Sequence, residues 1–136
     1  MEHGGVNGLR SVNTFNRATG DLTIEGDWTI NTSCSADSKS SVAVMYGTWG
    51  SSIPGNGATI ALLSFGTTFK LWNGTTQVAV TGVTCQVGTP IHFKLIIRQA
   101  GGADVYLNNS VTANGSLRKV ARTVLAMGKK LFCLFY

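Results

Sequence analysis

Residues 91–109 show the most regular pattern in this chain. Ile91, Phe93, Leu95 and Ile97 alternate with His92, Lys94 and Arg98, the period-2 signature of a β-strand with one buried face. Gln99-Ala100-Gly101-Gly102 interrupts the run, and Gly-Gly tolerates the positive φ that a tight hairpin needs. Val105 and Leu107 restart the alternation, and Asn108-Asn109 ends it. Similar short segments recur at 22–25, 28–31, 42–46, 60–65, 68–72, 77–80 and 83–87, separated by turn residues such as Gly66 and Asn73-Gly74. Strand candidates at this spacing predict an all-β fold of two antiparallel sheets, a sandwich or jelly roll. Residues 48–57, rich in Gly, Ser and Pro, form the longest expected loop, and 1–14 an N-terminal arm ahead of one domain at 15–136.

Two segments near the C-terminus carry further information. In 116–128, Leu117, Val120, Val124 and Met127 fit a helical stripe between a Ser116 N-cap and a Gly128 C-cap. They also fit a turn followed by a strand over 123–127, which is the preferred reading. The chain ends in LFCLFY, apolar at six successive positions. A strand of this kind has Leu131, Cys133 and Phe135 on one face and Phe132, Leu134 and Tyr136 on the other. Such a pattern belongs to a strand buried on both sides. A sandwich buries only one face of a sheet against its partner sheet, so the second face needs cover from a loop or from another protein.

Composition narrows the function classes. Charged residues make up 12% of the chain, about half the usual share of ~25%. Six carboxylates and two histidines leave little material for acid–base or metal chemistry. No paired glycosidase carboxylates, nucleophile elbow, phosphate-binding loop or C-x-x-C spacing is present. Glu25 and Asp27, two apart on a strand, read as an exposed face, and His92 as a surface strand residue. The expectation is therefore a non-enzymatic protein with no catalytic residues, no metal and no cofactor. Cys34, Cys85 and Cys133 are odd in number, which argues against a closed disulfide framework, and all three are expected as free thiols. The opening MEHGGVNGLR is not a secretory signal. No apolar run reaches the ~20 residues of a membrane span.

The net charge of +5 is concentrated at one end. Residues 1–93 hold four basic and five acidic residues, whereas 94–136 hold seven basic residues and only Asp104. Such asymmetry suits an acidic partner surface. Aromatic residues are not interleaved with these basic ones as single-stranded nucleic acid requires, so nucleic acid is not an expected partner. Trp49 lies in the long loop, where it can anchor a partner or fold over the sandwich end. Trp28 and Trp72 fall on strands and are assigned to the core.

The 91–109 hairpin resembles the one near the end of laminin-G-like, concanavalin-type lectin domains. There a hydrophobic strand and a glycine turn lead to a return strand reading roughly v-Y-l-N-G. Val105-Tyr106-Leu107-Asn108-Asn109 matches it, with Asn109 in place of the glycine. The segment DLTIEGDWTIN is similar to an early strand of those domains, and 124–128 and 131–136 stand where their last two strands would be. The resemblance implies a lectin-like jelly-roll sandwich and favours the strand reading of 123–127. Some such domains bind calcium at the rim; Asp27 and Asp104 are the residues that could take part, and no dense acidic loop accompanies them. The expected function is a structural or adhesive virion protein, a phage capsid-decoration (cement) protein or short fibre module, displayed on the virion surface. Its partners would be other virion proteins or copies of itself. The alternative is a carbohydrate-binding lectin module contacting surface glycans. The expected contact residues are Trp49, the basic cluster Arg118, Lys119 and Arg122, and the second face of the closing strand, Phe132, Leu134 and Tyr136.

Overall fold

The computed structural model describes residues 9–10, 15–16, 19–31, 33–35, 41–46, 59–73, 76–99, 101–118 and 130–135. Among them eleven strands form: β1 (Leu9–Arg10), β2 (Phe15–Asn16), β3 (Leu22–Trp28), β4 (Ser41–Tyr46), β5 (Thr59–Phe65), β6 (Thr68–Trp72), β7 (Gln77–Val80), β8 (Ile91–Ile97), β9 (Ala103–Leu107), β10 (Gly115–Leu117) and β11 (Lys130–Phe135). They make two antiparallel sheets. The larger runs β1-β11-β4-β5-β6-β7, with β2 also paired to β11; the smaller runs β10-β9-β8-β3. The protein is an all-β sandwich.

Alternation along the strands builds the core between the sheets. Ile91, Phe93, Leu95 and Ile97 of β8 are buried. They pack in one cluster with Ile24 and Trp28 of β3, Val105 and Leu107 of β9, Ile60 and Leu62 of β5, and Phe69 and Leu71 of β6. Trp28 meets Phe69 of the opposite sheet edge-on, with ring centroids 5.6 Å apart. Trp72, assigned to the core from sequence, is instead half-buried and paired with Ala61. Its neighbour Leu71 takes the core side, and the period of two leaves Trp72 on the other.

The turns follow their local chemistry. Gly66, at φ +67°, closes a two-residue turn between β5 and β6, where Phe65 pairs with Thr68. The Asn73-Gly74 signal does mark a hairpin. Its loop, however, spans four residues between Trp72 and Gln77, and the Asn73 side-chain oxygen accepts the Thr76 N–H at 2.7 Å. After β9, Asn108 and Asn109 sit at φ 51° and 58°. This is the left-handed region that asparagine tolerates better than most residues, so Asn109 can stand in for a glycine.

Gly102 at the β8–β9 turn is tightly constrained. It has φ +92°, and a Cβ added there would lie 2.5 Å from the Leu117 carbonyl oxygen. Gly88 has φ +77° but open space around it. Gly102→Ala is expected to cost about 3 kcal/mol, from backbone strain and a clash with backbone together. Gly88→Ala should cost only about 1 kcal/mol. Urea denaturation of the two variants measures the difference.

The sheets meet at one corner. The Thr81 N–H donates to the Asn114 carbonyl at 2.9 Å, and the Asn114 side-chain amide returns a bond to the Thr81 carbonyl at 2.9 Å. A side chain on the adjacent Gly115 would come within 2.8 Å of Val80. Residues 83–87, expected as a strand, form none. They belong to a loop pinned at several points, where the Cys85 N–H donates to the Thr67 carbonyl and the Gly88 N–H to the Ile30 carbonyl, each at 2.8 Å.

The same loop corrects the expectation of three free thiols. Cys85 forms a disulfide with Cys34 across a sequence separation of 51, their Cα atoms 5.9 Å apart. An odd cysteine count does not forbid one bridge, and only the fold brings these two loops together.

Leu9 and Arg10, assigned to the N-terminal arm from sequence, pair with Phe135 and Leu134 of β11. Within 116–128, Ser116 and Leu117 belong to strand β10, while 119–129, including the expected strand 123–127, lies outside the described residues. So do the loop 48–57 with Trp49, and Tyr136.

Candidate functional site

The side of the small sheet facing away from the core gathers most of the described charged residues. Register sets them in rows across β3, β8 and β9. Asp27 pairs with His92, Glu25 with Lys94, and Lys94 in turn with Tyr106; Thr23 pairs with Ile96, and Ile96 with Asp104. The outward positions of β8 are largely basic, and both flanking strands supply acids. Each basic side chain thus has a carboxylate within reach on a neighbouring strand.

His92 is bracketed by two carboxylates. Its Nε2 lies 3.0 Å from Glu25 Oε1 and its Nδ1 2.9 Å from Asp27 Oδ1. Both contacts are hydrogen bonds at once only if both ring nitrogens carry protons. The bond to Glu25, followed by that to Asp27, raises the His92 pKa above its ordinary value. The same bond to His92 lowers the Glu25 pKa, with a smaller contribution from Lys94, whose Nζ is 4.0 Å from Glu25 Oε2.

At the other end of the face, Asp104 is buried. Its Oδ2 accepts bonds from Arg98 Nε at 2.9 Å and Nη2 at 2.7 Å, and its Oδ1 accepts the Ser116 hydroxyl. Arg98 also donates to Asp21 at 3.2 Å, and Asp21 accepts the Gln99 N–H at 2.8 Å. Burial pushes the Asp104 pKa up, but the Ser116 and Arg98 bonds and the charges of Arg98 and Arg118 outweigh it, and the net shift is downward. This cluster ties β3, β8, β9 and β10 together. Asp104 and Asp27, the two residues considered for calcium, are thus each engaged with partners in the chain. Among the described residues no group of three or more His, Cys, Asp or Glu is arranged to hold a metal ion.

Beside the first cluster lies a shallow hollow of about 340 Å³, lined by Glu25, His92, Lys94, Ile96, Tyr106, Asn109 and Ser110. A second hollow of about 440 Å³ lies along β6 and β7. Its one charged side chain, Lys70, donates to Gln77 at 3.1 Å and stands 4.0 Å over the Phe65 ring. The first hollow is the better candidate, because ionised and neutral polar groups converge there beside Ile96 and the Tyr106 ring.

Of the contact residues expected from sequence, Arg118, Phe132 and Leu134 are among the described residues. Arg118 is exposed, with its guanidinium 3.7 Å from Asp104 at the β10 edge of the small sheet. Phe132 and Leu134 lie in β11 of the larger sheet, opposite Met45 and Ala43. Trp49, Lys119, Arg122 and Tyr136 are outside the described residues. The Glu25–His92–Asp27 cluster went unread because its members are 65 and 67 residues apart in sequence. The available signal was the pairing of an acidic strand face with a basic one.

Stability should follow pH accordingly. His92 has a raised folded pKa, so its contribution is complete below the ordinary histidine value of about 6.5 and is lost as pH rises through the folded value. Glu25 and Asp104 have lowered folded pKa values, so theirs is present above the ordinary carboxylate values of about 4 and is lost as pH falls through the folded ones. Thermal melting should show greatest stability between about pH 4.5 and 6.5. His92→Gln should flatten the decline on the alkaline side and weaken the acid limb, leaving there the part due to Asp104.

No family model, curated protein or solved structure matches this chain. The resemblance to lectin-like domains therefore rests on the hairpin motif and its neighbouring segments.

Proposed function

We propose that the protein is a non-enzymatic structural or adhesive module of a virion, of the capsid-decoration or short-fibre kind. It would work through contacts with other virion proteins or with copies of itself. The observation that carries this reading is a row of apolar positions on the larger sheet. Register aligns Leu134 with Ala43, Ala43 with Ala61, and Ala61 with Trp72. Phe132 aligns with Met45 in a parallel row. Ala61 and Trp72 alternate with Leu62 and Leu71, which belong to the core, so these two fall on the side of the sheet away from it. Ala61 and Leu63 on that side are buried within the chain, and Trp72 is half-buried. A partly buried tryptophan beside such covered apolar positions is a favourable contact anchor. The Cys34–Cys85 disulfide suits a protein displayed in oxidising surroundings, as on a particle exterior.

Sedimentation velocity over a range of salt concentrations tests the contact surface. Wild-type protein should self-associate or co-sediment with virions, and Trp49→Ala, Trp72→Ser and Tyr136→Ser should each weaken that association at least tenfold without loss of circular-dichroism signal. A combined change of Arg118, Lys119 and Arg122 to Ser should remove its salt dependence. Folded variants that associate as the wild type does would overturn the reading.

A further inference from the structure

The small sheet ends at β3, and no described strand pairs with its outer side. We propose that this edge docks an extended segment of another protein, added antiparallel to β3, with Lys or Arg at alternate positions and apolar residues between them. The proposal rests on β3 and its neighbours and does not depend on the contact surface of the larger sheet.

Register shows which backbone groups are open. The Asn108 N–H donates to the His92 carbonyl at 2.8 Å, and the Arg98 N–H to the Gly102 carbonyl at 3.0 Å. Even-numbered positions along β8 therefore turn their backbone groups toward β9, and Ile91, Phe93, Leu95 and Ile97 turn theirs toward β3. Their partners in β3 are Trp28, Gly26, Ile24 and Leu22. Thr23, Glu25 and Asp27, lying between these, direct their N–H and C=O groups to the outer side, where no described residue bonds to them. A row of alternating donors and acceptors is the template that strand addition uses.

The side chains of the same three residues select the partner. Thr23, Glu25 and Asp27 are exposed on the outer face. His92 engages Glu25 Oε1 and Asp27 Oδ1. Lys94 Nζ is 4.0 Å from Glu25 Oε2, too long for a hydrogen bond, so each carboxylate keeps an oxygen for a further donor. An antiparallel strand sets the residues opposite Glu25 and Asp27 on that same face. Lys or Arg there pairs with the acids from one side as Lys94 and His92 do from the other. The residues between them turn inward, beside Leu22 and Gly26, which are only half-buried, so apolar side chains at these positions extend the core.

A second copy of this chain does not fit the edge. The antiparallel register that uses the whole of β3 sets Glu25 opposite Glu25 of the other copy, and pairing about Gly26 sets Glu25 opposite Asp27. Like charges directly opposite destabilise a strand pair. The two carboxylates thus guard the edge against its own copies while favouring a basic partner.

The test has two arms, both on the full, disulfide-bonded chain. In hydrogen exchange of the free protein, the amides of Thr23, Glu25 and Asp27 should exchange about a hundredfold faster than those of Ile24 and Gly26, which face β8. Slow exchange of all three in a monomer would show that the chain covers its own edge. Slow exchange only where sedimentation shows a dimer would show that a second copy does. Either result overturns the proposal. The second arm is an amide-shift titration with capped seven-residue peptides. The probe alternates four Lys with three Val. Its controls carry Glu for Lys, group the four Lys ahead of the three Val, or are N-methylated at each Lys. The alternating lysine peptide should shift the amides of Thr23, Glu25 and Asp27 in a saturable way, and each control should bind at least tenfold more weakly. Thr23→Pro removes one outward N–H from an edge strand, where proline is tolerated, and should weaken binding at least tenfold. Glu25→Lys combined with Asp27→Lys should reverse the preference toward the glutamate peptide; should that variant unfold, Thr23→Pro carries the reading. The proposal fails if the lysine peptide shifts none of these amides, if any control binds as well, or if folded variants bind like the wild type.

Discussion

Removing residues 130–136 is expected to abolish folding. β11 is an interior strand of the larger sheet. Five of its residues, from Leu131 to Phe135, pair with β4, while on its other side Phe135 and Leu134 pair with Leu9 and Arg10 and Leu131 and Lys130 with Phe15 and Asn16. Its deletion would strip pairing from three strands at once and leave β4 as a new edge. An unprotected edge with apolar positions is a template for aggregation, so the truncated chain should be insoluble or lack a cooperative transition. Circular dichroism and urea unfolding of any soluble material decide the matter. A cooperative, soluble truncation would show that the strand adds little to the fold.

Opening the Cys34–Cys85 bond should have the second largest effect. The bridge closes a loop of 51 residues in sequence separation. Chain-entropy arguments assign such a loop about 4 kcal/mol at room temperature, through restriction of the unfolded chain. The bond also anchors the loop after β7, which contributes the buried Cys85 to the core. Urea unfolding with and without reductant should differ by roughly this amount, and a double change of Cys34 and Cys85 to Ser should unfold as the reduced wild type does. Thiol titration of the denatured chain without reductant should recover one thiol, that of Cys133. Recovery of three would show that the bridge does not form in the isolated protein.

Strong local signals carried through to the structure. The alternation of Ile91, Phe93, Leu95 and Ile97 became β8, with all four residues buried, because a period of two leaves a strand only one way to turn its apolar side inward. The glycine pair at 101–102 and the Asn73-Gly74 step both fell at turns between paired strands, since turn preference is a property of a few adjacent residues. The segment 83–87 failed as a strand because its apolar residues are claimed one at a time. Cys85 goes to the core and the disulfide, while Val87 is exposed. Nothing in five residues shows whether a neighbouring strand is available to pair with them.

The candidate site was less legible than the fold. Glu25, Asp27 and His92 were each visible as outward-facing strand residues, but their meeting depends on the register of β3 against β8. Lys94 and Tyr106 meet through the register of β8 against β9. Asp104 sits on an outward position of β9 and is nonetheless buried, because Arg98 and Ser116 from the flanking strands close over it.

By itself the sequence determined the all-β class, the positions of most strands, the inward residues of β3, β8 and β9, and the residues able to turn. Each of these depends on interactions within a strand or a turn. The tertiary structure alone decided the partnership of Cys34 with Cys85, the interior place of β11, the outward side of Trp72 and the gathering of Glu25, His92, Lys94 and Tyr106 around one hollow. These depend on strand order and register, which are set by the packing of the whole chain around its core.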